Sequence, residues 1–149
     1  MTTHNLYLTP IKDVPFLWHE VKPLIEKALT HSGGEVTSED ILNDILTGEN
    51  HLWVGIENKN TIFCAGVTEI ITRPQKRILY IITFATASGS DYDLWKDFIH
   101  ILDDFGSQYE CTVIETQVRK GLARKLKWDN EYSVITRTIK QNGKEKIIK

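Results

Sequence analysis

The chain has 149 residues and a mass of 17.1 kDa, which suits one compact domain and excludes most two-domain designs. With 41% hydrophobic and 26% charged residues it has a globular composition, which excludes disorder and fibrous repeats, and its two cysteines exclude a disulfide scaffold. The net charge of −2 covers an asymmetry: residues 1–116 carry eight Lys and Arg against 17 Asp and Glu, while residues 117–149 carry ten against three.

That split suits either a polyanion-binding end or a basic third folded against the acidic remainder; the spread of the basic residues over several predicted elements favours the second. No apolar run approaches the roughly 20 residues of a membrane helix, so no membrane contact is expected. Met1 to Asn5 lacks a basic start leading into an apolar stretch, so the chain is expected in the cytoplasm, not secreted.

In chain order, Asn5–Thr9 alternates polar and apolar and predicts a first strand stopped by Pro10. Asp13 is the expected cap of a helix carrying Phe16, Leu17, Trp18, Val21, Leu24, Ile25, Ala28 and Leu29 at helical spacing. Pro23 should kink or split it, and Gly33-Gly34 end it. A second helix starts at Thr37 or Ser38, presents Ile41, Leu42, Ile45 and Leu46 on one side, and stops at Gly48.

Strands follow at His51–Ile56, Thr61–Thr72 and Arg77–Phe84. Gly66 is the expected site of a bulge. The apolar run Ile78–Ile82 predicts a central strand covered on both faces. After the small residues Ala85–Ser90, Asp91 caps a helix with a wide apolar stripe from Leu94 to Phe105. A strand at Cys111–Gln117, a basic helix at Arg119–Trp128 and a closing strand at Tyr132–Lys140 complete a domain over residues 1–140, with 141–149 a basic tail. The order β, α, α, β, β, β, α, β, α, β predicts a mixed α/β fold: a mostly antiparallel sheet with one parallel β-α-β crossover and helices on both faces.

This order resembles the GNAT (Gcn5-related N-acetyltransferase) fold over nearly the whole chain. The closest resemblance is to small GNAT-like proteins of tailed bacteriophages. It is carried by Leu52-Trp53-Val54, by Ala65-Gly66-Val67-Thr68-Glu69-Ile70, by Trp95 near a helix start, by Cys111-Thr112-Val113-Ile114-Glu115, and above all by Arg119-Lys120-Gly121-Leu122-Ala123-Arg124-Lys125-Leu126. The resemblance implies two parallel strands that splay around acetyl-CoA, with its pyrophosphate on backbone N–H groups at the start of the following helix, where the dipole favours an anion.

The family signature there, Gln/Arg-x-x-Gly-x-Gly/Ala, meets Thr86-Ala87-Ser88-Gly89-Ser90-Asp91. Gly89 fits, Thr86 stands at the Gln/Arg position, and Asp91 puts a carboxylate where the last small residue belongs. A like charge opposes a phosphate and caps the helix itself, although the run Ala85–Ser90 leaves a loose nest open. The expected role is therefore a non-catalytic structural, assembly or binding protein in or around a virion, in the host cytoplasm or the particle, with other phage proteins as partners and no cofactor. The alternative is an acetyl-CoA-dependent N-acetyltransferase acting on a small amine or a host protein. In that case Phe84, Ser88, Gly89 and Ser90 would hold the cofactor, Glu69 or Glu115 would take the proton from the amine, and Tyr132 or Tyr109 would return one to the thiolate.

Arg119, Lys120 and Arg124 are candidates for an anion or a partner, nucleic acid included, though no DNA-binding motif is present. His4, His19, His31, His51 and His100 show no ligand spacing, so no metal is expected. Cys64 and Cys111 read as buried free thiols, and Trp18, Trp53, Trp95 and Trp128 as core or interface anchors.

Overall fold

The computed structural model describes residues 4–29, 36–58, 60–87, 92–117, 127–128 and 137–138. The chain divides into two compact units, Met1–Val118 and Arg119–Lys149. The expected helix over 119–128, the closing strand over 132–140 and the tail from Gln141 lie outside the described residues, apart from isolated positions.

In the first unit the order is β1 (His4–Leu8), α1 (Val14–Leu29), α2 (Ser38–Leu46), β2 (Asn50–Glu57), β3 (Thr61–Thr72), β4 (Arg77–Thr86), α3 (Tyr92–Gln108) and β5 (Val113–Thr116). The strands form one sheet in sequence order, antiparallel from β1 to β4 and parallel between β4 and β5. Helix α3 is the crossover that a parallel pair requires.

Alternation along the strands sends two sets of side chains to opposite faces. Leu52, Val54, Ala65 and Val67 pack with Val14, Val21 and Ile25 of α1 and Ile41 and Ile45 of α2 in one buried cluster. On the other face Trp53 meets Phe98 and Phe105 of α3 edge to face, at centroid distances of 6.1 and 5.0 Å, and Phe84 stacks on Phe98 at 4.6 Å. Helices thus cover both faces, as expected. Trp53 and Trp95 are buried, Trp18 is half-buried against the α1 cluster, and Trp128 is exposed.

Several local expectations are corrected. A 3-10 turn, Ile11–Asp13, runs straight into α1, its Asp13 N–H donating to the Pro10 carbonyl at 2.9 Å, so the chain enters the helix through that turn. Pro23 does not split α1; the helix continues through it, and only the partner of the His19 carbonyl is lost. The start of α2 is Thr37: its Oγ1 accepts the Asp40 N–H at 3.1 Å while Asp40 Oδ2 accepts the Thr37 N–H at 3.0 Å. Asp three residues on closes the capping box that Ser38 lacks. Gly48 takes φ 87°, the left-handed stop expected.

Two bulges lie near Gly66 but neither is at it: the β2–β3 register shifts between Gly55 and Ile56, which pair with Cys64 and Ile62, so Phe63 of β3 is an extra residue. The β3–β4 register shifts between Val67 and Thr68, which pair with Thr83 and Ile81, so Ile82 of β4 is the extra residue. Gly66 serves packing instead: a Cβ there would stand 2.8 Å from Phe98 and 3.1 Å from Phe84.

Candidate functional site: the parting of β4 and β5

Strands β4 and β5 pair over four positions, from Ile78–Val113 to Ile81–Thr116. Beyond Ile81, β4 runs five residues further to Thr86, and among the described residues nothing pairs with that stretch on the β5 side. Among the described residues, the main chain of β4 from the bulged Ile82 to Thr86 is therefore open on its β5 side, and this stretch is the candidate gap.

Two features mark the gap. At its apex Thr116 Oγ1 donates to the carbonyl of Ile81 at 3.0 Å. At the far end of β4, Thr86 is only 5% exposed, and its Oγ1 is buried with no hydrogen-bond partner among the described residues. An orphaned buried hydroxyl costs about 1–3 kcal/mol, and alternation puts this one on the same face as Phe84, the face that α3 covers.

Just below the apex a polar row crosses the sheet. Asn50 pairs with Glu69, Glu69 with Tyr80, and Tyr80 with Glu115. Directly paired residues share a face, so Glu69 and Glu115 flank Tyr80 on the α1–α2 face, roughly 10 Å apart at two strand spacings. Burial, followed by the charges of Asp44 and Glu49, pushes the Glu69 carboxyl above its ordinary range. A carboxylate so placed is a better proton acceptor than a free one, and its neighbours favour a cationic acceptor.

The other nominated residues fare differently. The Phe84 side chain is held between Phe98 and Trp95, so it offers a cofactor only its backbone. Tyr109 follows the C-terminal end of a 17-residue α3, roughly 25 Å from the helix start, where the chain returns to β5, and is not at the gap. Burial pushes the Cys64 thiol up to about 12, which leaves it inert, and Cys111 is half-buried. Ser88, Gly89, Ser90, Asp91, Arg119, Lys120, Arg124 and Tyr132 lie outside the described residues. Among the described residues no His, Cys, Asp and Glu side chains cluster to hold a metal, and no helix is long and apolar enough to cross a membrane.

Sequence reasoning missed Tyr80 and Thr116. The signal for Tyr80 was a lone hydroxyl inside the apolar run Ile78–Ile82. Thr116 carried no signal, because its role depends on the register of a strand pair.

No protein-family model matches the chain, and no curated protein matches it in sequence. Solved structures do. The chain is similar to an aminoglycoside acetyltransferase from an uncultured soil metagenomic sample, in complex with sisomicin, at TM-score 0.68 and 15% identity over 93% of this chain and 97% of that one. It is similar to a predicted acetyltransferase with acetyl-CoA from Clostridium acetobutylicum, at TM-score 0.64 and 15% identity over 90% and 96%. It is also similar to glucosamine-6-phosphate N-acetyltransferase from Arabidopsis thaliana, at TM-score 0.61 and 14% identity over 93% and 99%. The fold is GNAT-like, mixed α/β with one parallel pair. The phage setting rests on the sequence patterns alone.

Proposed function

We propose that this chain is an acetyl-CoA-dependent N-acetyltransferase whose acceptor is an amine that arrives as a cation. The observation that carries the reading is the five-residue stretch of β4 beyond Ile81 that, among the described residues, has no partner on its β5 side. The fold supports the reading only at the level of a shared scaffold.

Main chain from Ile82 to Thr86 would hold the cofactor, with Ser88, Gly89 and Ser90 next in sequence for its phosphates. Acetyl-CoA, when bound, supplies an acetyl group on a good leaving group. The chain's own work is proton handling. Glu69 accepts the proton of the incoming ammonium, directly or through one water, because burial and Asp44 and Glu49 raise its basicity. Asp44 and Glu49 also draw a cationic acceptor to that side of the sheet. Glu115 shares the row and is the alternative base. The test is release of CoA thiol from acetyl-CoA when a polyamine or an aminoglycoside is added. Release that falls 100-fold or more in Glu69→Gln supports the reading, and no release with either amine overturns it.

A second reading is kept for one observation: Asp91 precedes α3 directly in sequence, at the position where the family signature has a small residue. On that reading the chain is a non-catalytic phage protein that reuses the fold among virion partners. Replacing Asp91 with Gly separates the two. Tighter acetyl-CoA binding in the variant means that the aspartate opposes a real site, whereas no binding in either form leaves the non-catalytic role.

A further inference from the structure

We infer that Thr116 is a positioning residue, whose hydroxyl fixes the point at which β4 and β5 part; its bearing on the cofactor rests on the acetyltransferase reading. Its Oγ1 donates to the carbonyl of Ile81 at 3.0 Å, and Ile81 and Thr116 are the last pair of the β4–β5 ladder among the described residues. Among the described residues the parallel ladder spans four pairs, and parallel pairs are slightly less stable per residue than antiparallel ones. A ladder of this kind frays from its open end.

The next residue of β4, Ile82, is the bulge, which displaces the hydrogen-bonding groups a regular strand would offer. Backbone pairing therefore cannot secure the apex from above. The Thr116 side chain secures it from below by tying β5 to a β4 carbonyl at the final pair. Directly beneath lies the Tyr80–Glu115 pair, so fraying by one step would unseat that end of the polar row. A gap of fixed depth sets where the reacting end of a ligand stops relative to Glu69 and Tyr80, and errors near 1 Å in such placement cost catalysis heavily.

The test compares the full chain with Thr116→Val, which keeps the shape and the β-branch, and with Thr116→Ser, which keeps the hydroxyl. Acetyl-CoA affinity by calorimetry should fall roughly fivefold in the Val variant, the size of one hydrogen bond to a backbone carbonyl, and return to within about twofold in the Ser variant. Equal affinity in wild type and Thr116→Val overturns the inference. If wild type binds no acetyl-CoA, the acetyltransferase reading fails, and amide exchange still decides the structural claim. Amide exchange at the apex of the β4–β5 ladder, around Tyr80, Ile81 and Glu115, should be faster in Thr116→Val than in wild type. Unchanged exchange overturns it.

Discussion

Thr68 Oγ1 accepts the indole N–H of Trp53 at 2.9 Å and lies 3.0 Å from Nδ1 of His51. Trp53 is a donor only, so Thr68 Oγ1 must accept from it, and the same hydroxyl links it to the His51 ring. His51 and Trp53 both meet Phe105 edge to face, at 5.1 and 5.0 Å. The trio therefore seats the C-terminal half of α3 on the sheet.

Thr68 is fully buried, so Thr68→Val leaves the Trp53 N–H without a partner in an apolar place. The expected loss of stability is about 1–3 kcal/mol by urea unfolding. A loss under about 0.5 kcal/mol would show that the trio contributes little.

Burial holds the His51 imidazole below its ordinary value of 6.5. Near and below that value the unfolded chain binds a proton more readily than the folded one, so this contribution is full above about pH 6.5 and is lost as the pH falls through the folded value. The stability difference between wild type and His51→Gln should therefore shrink on acidification below pH 6.5. A difference that is flat with pH contradicts it.

Glu69 runs the other way. Its carboxyl is raised by burial and then by Asp44 and Glu49, so the folded chain favours the protonated form; that benefit is present below about 4.5 and lost as the pH rises. At pH 7 the ionised group weakens the fold. Glu69→Gln should melt higher than wild type at pH 7, with the gap closing below pH 4.5, while losing about 100-fold or more in turnover. A variant that melts lower at pH 7 would refute the electrostatic account.

Gly66→Ala should cost about 1–3 kcal/mol by denaturant unfolding, because its Cβ would stand 2.8 Å from Phe98, a ring itself stacked on Phe84 and wedged against Trp53. A neutral substitution would mean that α3 shifts freely on the sheet.

The fold was legible where burial follows a local period. Thr61–Thr72 is a strand over the residues expected, and of the apolar face expected for α2, Ile41 and Ile45 are buried while Leu46 is exposed. Less legible were features set by pairing. The bulge at Ile82 follows from a register that no single strand encodes, and Pro23 stays within α1 because the buried Val21 and Ile25 hold both sides of it to the sheet. At the candidate site, Glu69 and Glu115 could be nominated from residue type, but only the sheet order puts Tyr80 between them.

The most direct measurement is the melting temperature of the full chain with and without acetyl-CoA. A ligand that binds only the native state raises it, by an amount that grows with concentration. The parting of β4 and β5 predicts a dose-dependent rise that desulfo-CoA reproduces. No rise at millimolar acetyl-CoA would contradict it.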